Sequence, residues 1–67
     1  MARMKPEKIR ALLIENKAKQ VEIARDLQVS SAAVGMTIVG KLISRRIREA
    51  IAVKAKRPFE DIWGKAA

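Results

Sequence analysis

The sequence predicts an all-α domain of four to five helices. Three observations carry that expectation. Aliphatic residues recur at three- and four-residue spacing, two serines stand just ahead of such stretches as helix caps, and Gly40 and Pro58 fall between stretches. The chain is short at 67 residues and contains no cysteine. A domain of this size buries only roughly 60% of the surface its unfolded chain exposes. Such a core leaves little room for a deep substrate pocket.

The first helix is expected from about Pro6 to Asn16. Pro6 suits a first-turn position, where its missing N–H would have no helical partner anyway. Ile9, Leu12 and Leu13 then share one face, and Asn16-Lys17-Ala18-Lys19 reads as the connecting turn. A second helix is expected from Gln20 to about Gln28, with Ile23, Ala24 and Leu27 inward and Glu22, Arg25 and Asp26 outward. Ser30 then offers its hydroxyl to the free N–H groups of a third helix. That helix carries Ala33, Val34 and Ile38 inward and ends near Gly40, which suits a left-handed C-terminal cap.

Ser44 is the next capping residue, ahead of a fourth helix running to about Ala55 or Lys56. Its expected buried stripe is Ile47, Ala50, Ile51 and Lys54 or Ala55. Arg45, Arg46 and Arg48 stand in its first turns, against the macrodipole, at a cost of about 0.3–1 kcal/mol each. Positive charge kept at such a place suggests a ligand for it. Pro58 stops this helix, and Phe59, Ile62 and Trp63 form a last apolar cluster that closes the core.

Fifteen Lys and Arg against seven Asp and Glu leave a formal charge of +8 on 7.5 kDa. That density points to an anionic partner, nucleic acid ahead of an anionic membrane or an acidic protein. The absence of cysteine and histidine removes disulfides, thiol nucleophiles, and the commonest general base and metal ligand. No catalytic residue, metal site, cofactor or small-molecule ligand is expected, and the chain is not expected to be an enzyme. No apolar run is long enough to span a bilayer, and Met1 to Pro6 lacks the features of a signal peptide, so a cytoplasmic, nucleoid-associated protein without membrane contact is expected.

Two short helices joined by a three-to-four residue turn make residues 20–39 a helix-turn-helix candidate. Ala24 supplies the small residue needed where the two helices approach, and Ile23, Leu27, Val29, Val34 and Ile38 would hold the pair rigid. Ser31, Ala32, Gly35 and Met36 would then point away from the core, on a helix that fits the ~12 Å major groove of B-DNA.

Gln20, Ala24, Val29, Ser30 and Val34 resemble the helix-turn-helix signature of lambda-repressor-like and Cro-like regulators. The segment from Ser44 to Ala52 and the segment from Pro58 to Trp63 resemble the fourth and fifth helices of that family. The Ile62-Trp63 pair is similar to the end of small phage regulators of which the Ner repressor of phage Mu is one. The resemblance covers about Lys5 to Gly64. It implies one DNA-binding domain at residues 5–64 with flexible ends at 1–4 and 65–67. It also implies a phage-type regulator that binds operator DNA, often as a dimer on a symmetric site.

The sequence departs from the family at three positions. Gln28 stands at the turn where the family has glycine, at a cost of roughly 1 kcal/mol if the left-handed backbone is kept. Lys56 replaces the usual glycine before the fifth helix, and Thr37 stands where a large aliphatic is preferred. A domain of moderate stability is expected.

From Val29 to Gly40 there is no charged residue. The base-facing set, Ser31, Ala32, Gly35 and Met36, lacks the Arg, Asn and Gln side chains whose bidentate base contacts contribute ~1–3 kcal/mol each. Lys17, Lys19, Gln20, Ser30, Lys41, Arg45 and Arg46 are the expected phosphate contacts. Affinity would rest mainly on them, and sequence choice on thymine methyls, DNA shape or basic side chains at a groove edge. Lys8, Arg10, Arg25 and Lys54 lie among Glu7, Glu22 and Asp26 and are expected to be solvated or in weak surface pairs. The competing expectation keeps the fold and makes the uncharged third helix a docking face for a partner protein. A homodimer on double-stranded DNA is expected, with Ile43, Phe59 and Trp63 as the exposed edge through which it would form.

Overall fold

In the computed structural model, which describes residues 3–64, each stretch of helical spacing becomes a helix. The order is α1 (Pro6–Glu15), α2 (Gln20–Leu27), α3 (Ser31–Val39), α4 (Arg45–Ala55) and α5 (Phe59–Trp63), with no strand among the described residues. No helix is long and apolar enough to cross a membrane among these residues.

The helix starts follow the capping chemistry. Ser30 accepts a 3.1 Å bond from the Ala33 N–H, and Ser44 a 3.3 Å bond from the Ile47 N–H. By contrast α1 and α2 begin after Lys5 and Lys19, which supply no side-chain acceptor. The helix ends are less ordinary. Lys17, Gln28 and Lys56 all hold a left-handed backbone, with φ of 56°, 58° and 58°. The left-handed turns expected at Gln28 and Lys56 are kept without glycine. Lys17 adds a third that no feature of the sequence announced.

Every helix contributes to one core. Ile9, Leu12 and Leu13 of α1 meet Ile23 and Ala24 of α2, Val34 and Ile38 of α3, Ile47, Ile51 and Ala55 of α4, and Ile62 and Trp63 of α5. On α4 the stripe closes on Ala55 and Ala52 while Lys54 is exposed, and Ala50 lies only half-buried. Lys54 lies 3.8 Å from Asp26, an exposed pair of the kind expected for it. Thr37 is fully buried, and its hydroxyl is satisfied by a 2.8 Å bond to the Ala33 carbonyl one turn back. That local bond lets a hydroxyl occupy the place of an aliphatic without an orphaned polar group. Asn16 ties the ends of two helices together, donating to the Leu12 carbonyl at 2.8 Å and to the Ala55 carbonyl at 3.2 Å.

One expectation needs correction. Trp63 is not on an exposed edge: it is buried, and its indole N–H donates to the Arg48 carbonyl at 2.9 Å. An indole in a core needs such an acceptor, and the α4 backbone supplies it. Ile43 is exposed and Phe59 half-buried. Of the ends expected to be flexible, residues 1–2 and 65–67 lie outside the described residues, and Arg3 and Met4 make contacts with the rest of the domain. The Met4 N–H donates to the Ile62 carbonyl at 2.8 Å. The Arg3 guanidinium donates to the Ile38 carbonyl and lies 5.0 Å from the Trp63 ring centre, as does that of Arg48. Burial, and then the charge of Arg48, push Arg3 below the usual guanidinium value. The Trp63 ring is the compensating surface for two cations whose buried Nε–H groups find no oxygen.

Candidate nucleic-acid interface

Helical periodicity and the core together decide which face of α3 is free. Val34, Thr37 and Ile38 are buried, so Ser31, Gly35 and Val39 form an outward row with Ala32 and Met36 beside it. Ser31, Ala32, Met36 and Val39 are exposed and Gly35 is half-covered. The four residues singled out as base-facing therefore do share one face. Val39 belongs with them at 41% exposure, equal to Met36. It is the residue that sequence reasoning missed, although its place four residues after Gly35 was the available signal.

Gly35 sits mid-helix, where glycine costs about 0.5–1 kcal/mol relative to alanine. The fold does not need it there. Its backbone is not in the left-handed region, and a Cβ would meet only the Gln20 Oε1 at 3.6 Å, an ordinary contact distance. Gly40 differs on both counts. It takes a φ of 93°, and a Cβ there would come within 2.7 Å of the Arg3 guanidinium.

The same contact places the start of α2 against the middle of α3. The Gln20 carboxamide thus lies beside Gly35, and Lys19 immediately precedes it at an N-terminus that no side chain caps. The first-turn N–H groups there have no acceptor of that kind, next to a lysine, which favours anions. Lys17 and Lys19 are both exposed on the α1–α2 connection. At the other end of α3, Lys41 is exposed directly after Gly40, and its N–H closes the helix on the Met36 carbonyl at 2.9 Å. Ser30 is exposed at the N-cap with its hydroxyl on the Ala33 N–H.

The two arginines of α4 part company. Arg46 reaches across to α2 and donates to the Leu27 carbonyl at 3.0 Å, next to the α2–α3 connection. Arg45 turns toward α5, with Glu49 at 3.1 Å and the Phe59 ring centre at 4.5 Å. The structure therefore brings Gln20 to Gly35 of α3, with Lys19 preceding it in the chain, and Arg46 to the connection before α3. It directs Arg45 to contacts within the chain. Arg45–Glu49 and Lys54–Asp26 are the two ion pairs among the described residues, and all four partners are exposed. The remaining lysines and arginines there have no carboxylate within ion-pair distance.

Comparison with protein-family models, with curated proteins and with solved structures finds no match to this chain.

Proposed function

We propose that this chain is a non-enzymatic, sequence-specific DNA-binding regulator, of the repressor type found in phage and prophage, built on a lambda-repressor-like helix-turn-helix. In this reading α2 and α3 are the two helices of the motif. The outward face of α3, Ser31, Ala32, Gly35 and Met36, lies in the major groove, and Lys17, Lys19, Gln20, Ser30, Lys41 and Arg46 meet phosphates on either side. Arg45 contributes there only by giving up its contact with Glu49. The working form is a homodimer on a symmetric site, because one short helix reads too few base pairs to specify a location.

The observation that carries the reading is Gly35. It is a mid-helix glycine on a free face with room for a methyl group, so its reason lies outside the fold, in a surface that must come close to the backbone. The uncompensated cations around that face supply the attraction, and a net charge of +8 matches a polyanion.

Titration with random-sequence duplex at low and moderate salt tests it. Contact of one protomer with about four to six phosphates gives a slope of log K against log salt of about −3.6 to −5.4. The second reading, a protein-docking adaptor of the same fold, is favoured by the lack of charge from Val29 to Gly40. Duplex affinity too weak to measure at low salt would decide for the adaptor.

A further inference from the structure

The chemistry of the free α3 face bears on what it can select. Its side chains are one hydroxyl, on Ser31, and three apolar groups, on Ala32, Met36 and Val39, around the bare backbone of Gly35. The Gln20 carboxamide reaches this face at Gly35 from outside the helix. A base pair presents hydrogen-bond donors and acceptors in the major groove, and one apolar feature, the C5-methyl group of thymine. An apolar side chain set against a donor or acceptor would leave it without its water, at a cost, whereas against a methyl group it gains by burial.

We infer that this α3 face selects duplex DNA by the C5-methyl groups of thymine, with Ala32, Met36 and Val39 as the contacting side chains. The inference rests on the DNA-binding reading above and adds to it the chemical group that is read. Phosphate contacts from the flanking lysines set the affinity, and the pattern of methyl groups sets the choice among sequences. The glycine allows the helix to sit deep enough for short side chains to reach those methyls.

The test uses a duplex enriched by the protein from a random pool, compared with the same duplex in which every thymine is replaced by uracil. Uracil keeps the hydrogen-bonding edge and loses only the methyl. Fluorescence anisotropy is expected to show a loss of about four-fold per methyl contacted, equivalent to roughly 0.8 kcal/mol for each buried methyl. In Met36→Ala and Val39→Ala, both at exposed positions, the thymine-to-uracil ratio is expected to shrink, because affinity for the thymine duplex falls further than affinity for the uracil duplex. Circular dichroism of both variants checks that the helices persist. A ratio of one in the wild-type protein, with salt-dependent binding retained, overturns the inference and leaves the DNA-binding reading standing. A ratio that neither variant changes overturns the assignment to this face. Binding to no duplex overturns the DNA-binding reading, and the inference with it.

Discussion

The Arg46 guanidinium donates a 3.0 Å hydrogen bond to the carbonyl oxygen of Leu27, nineteen residues earlier in the chain. It thereby satisfies one of the carbonyls left open at the end of α2, and fastens α4 to the connection from which α3 departs. An arginine expected to act on phosphate is thus also a brace.

Arg46→Ala is expected to lower stability by about 0.5–1.5 kcal/mol, the range for one intramolecular hydrogen bond. It is also expected to weaken binding to enriched and random duplexes by the same factor. Urea unfolding reads the first effect and anisotropy the second. A loss confined to the enriched duplex would show that Arg46 reads bases instead of positioning the protein on phosphates.

Gln28 and Lys56 both hold a left-handed backbone with φ of 58°, each at the C-cap of a helix. A Cβ in that region costs roughly 1–2 kcal/mol. Gln28→Gly and Lys56→Gly are each expected to stabilise the protein by about 1 kcal/mol, part of the gain being offset by the greater freedom of glycine in the unfolded chain. Denaturant midpoints should rise with no change in slope. A fall at either position would mean that its side chain makes a contact of greater value than the strain.

Gly35→Ala separates folding from binding. The methyl group has room against Gln20, so the helix is expected to gain about 0.5–1 kcal/mol, read as a higher unfolding midpoint. On the DNA-binding reading proposed above, duplex affinity is expected to fall, because the added methyl would stand between the helix and the DNA. A variant both more stable and equally tight in binding would remove Gly35 from the interface.

Salt is expected to move stability and affinity in opposite directions. With a charge of +8 and two exposed ion pairs among the described residues, self-repulsion opposes the folded state. Raising chloride from roughly 20 to 300 mM shortens the screening length and should raise Tm by about a few degrees. On the DNA-binding reading, the same change is expected to weaken duplex binding steeply. A Tm that falls with salt would mean that attraction between charges, not repulsion, dominates the fold.

The two serine caps, the apolar rows and the stop at Pro58 were legible because each is a local relation, settled within one turn of helix. The outward position of Ser31, Ala32, Gly35 and Met36 was legible for the same reason, once Val34 and Ile38 were assigned inward. Val39 was legible and overlooked. The left-handed Lys17 was not legible, since nothing in Asn16-Lys17-Ala18 marks such a turn. The bonds of Asn16 to the Ala55 carbonyl, of the Lys17 N–H to the Ile14 carbonyl at 3.0 Å and of the Ala18 N–H to the Leu13 carbonyl at 2.8 Å show what holds it.

The amino-acid order alone determined an all-α chain of four to five helices, their limits to within a residue or so, most of the inward positions, and an excess of positive charge. Tertiary structure decided which distant groups meet: Gln20 with Gly35, Arg46 with the Leu27 carbonyl, Arg3 with Ile38 and Trp63, and Arg45 with Phe59. The reason is geometric. Periodicity states how a side chain points about its own helix axis, whereas the partner it reaches depends on how the axes pack. Long, flexible arginine and glutamine side chains take whichever carbonyl or ring that packing brings within range.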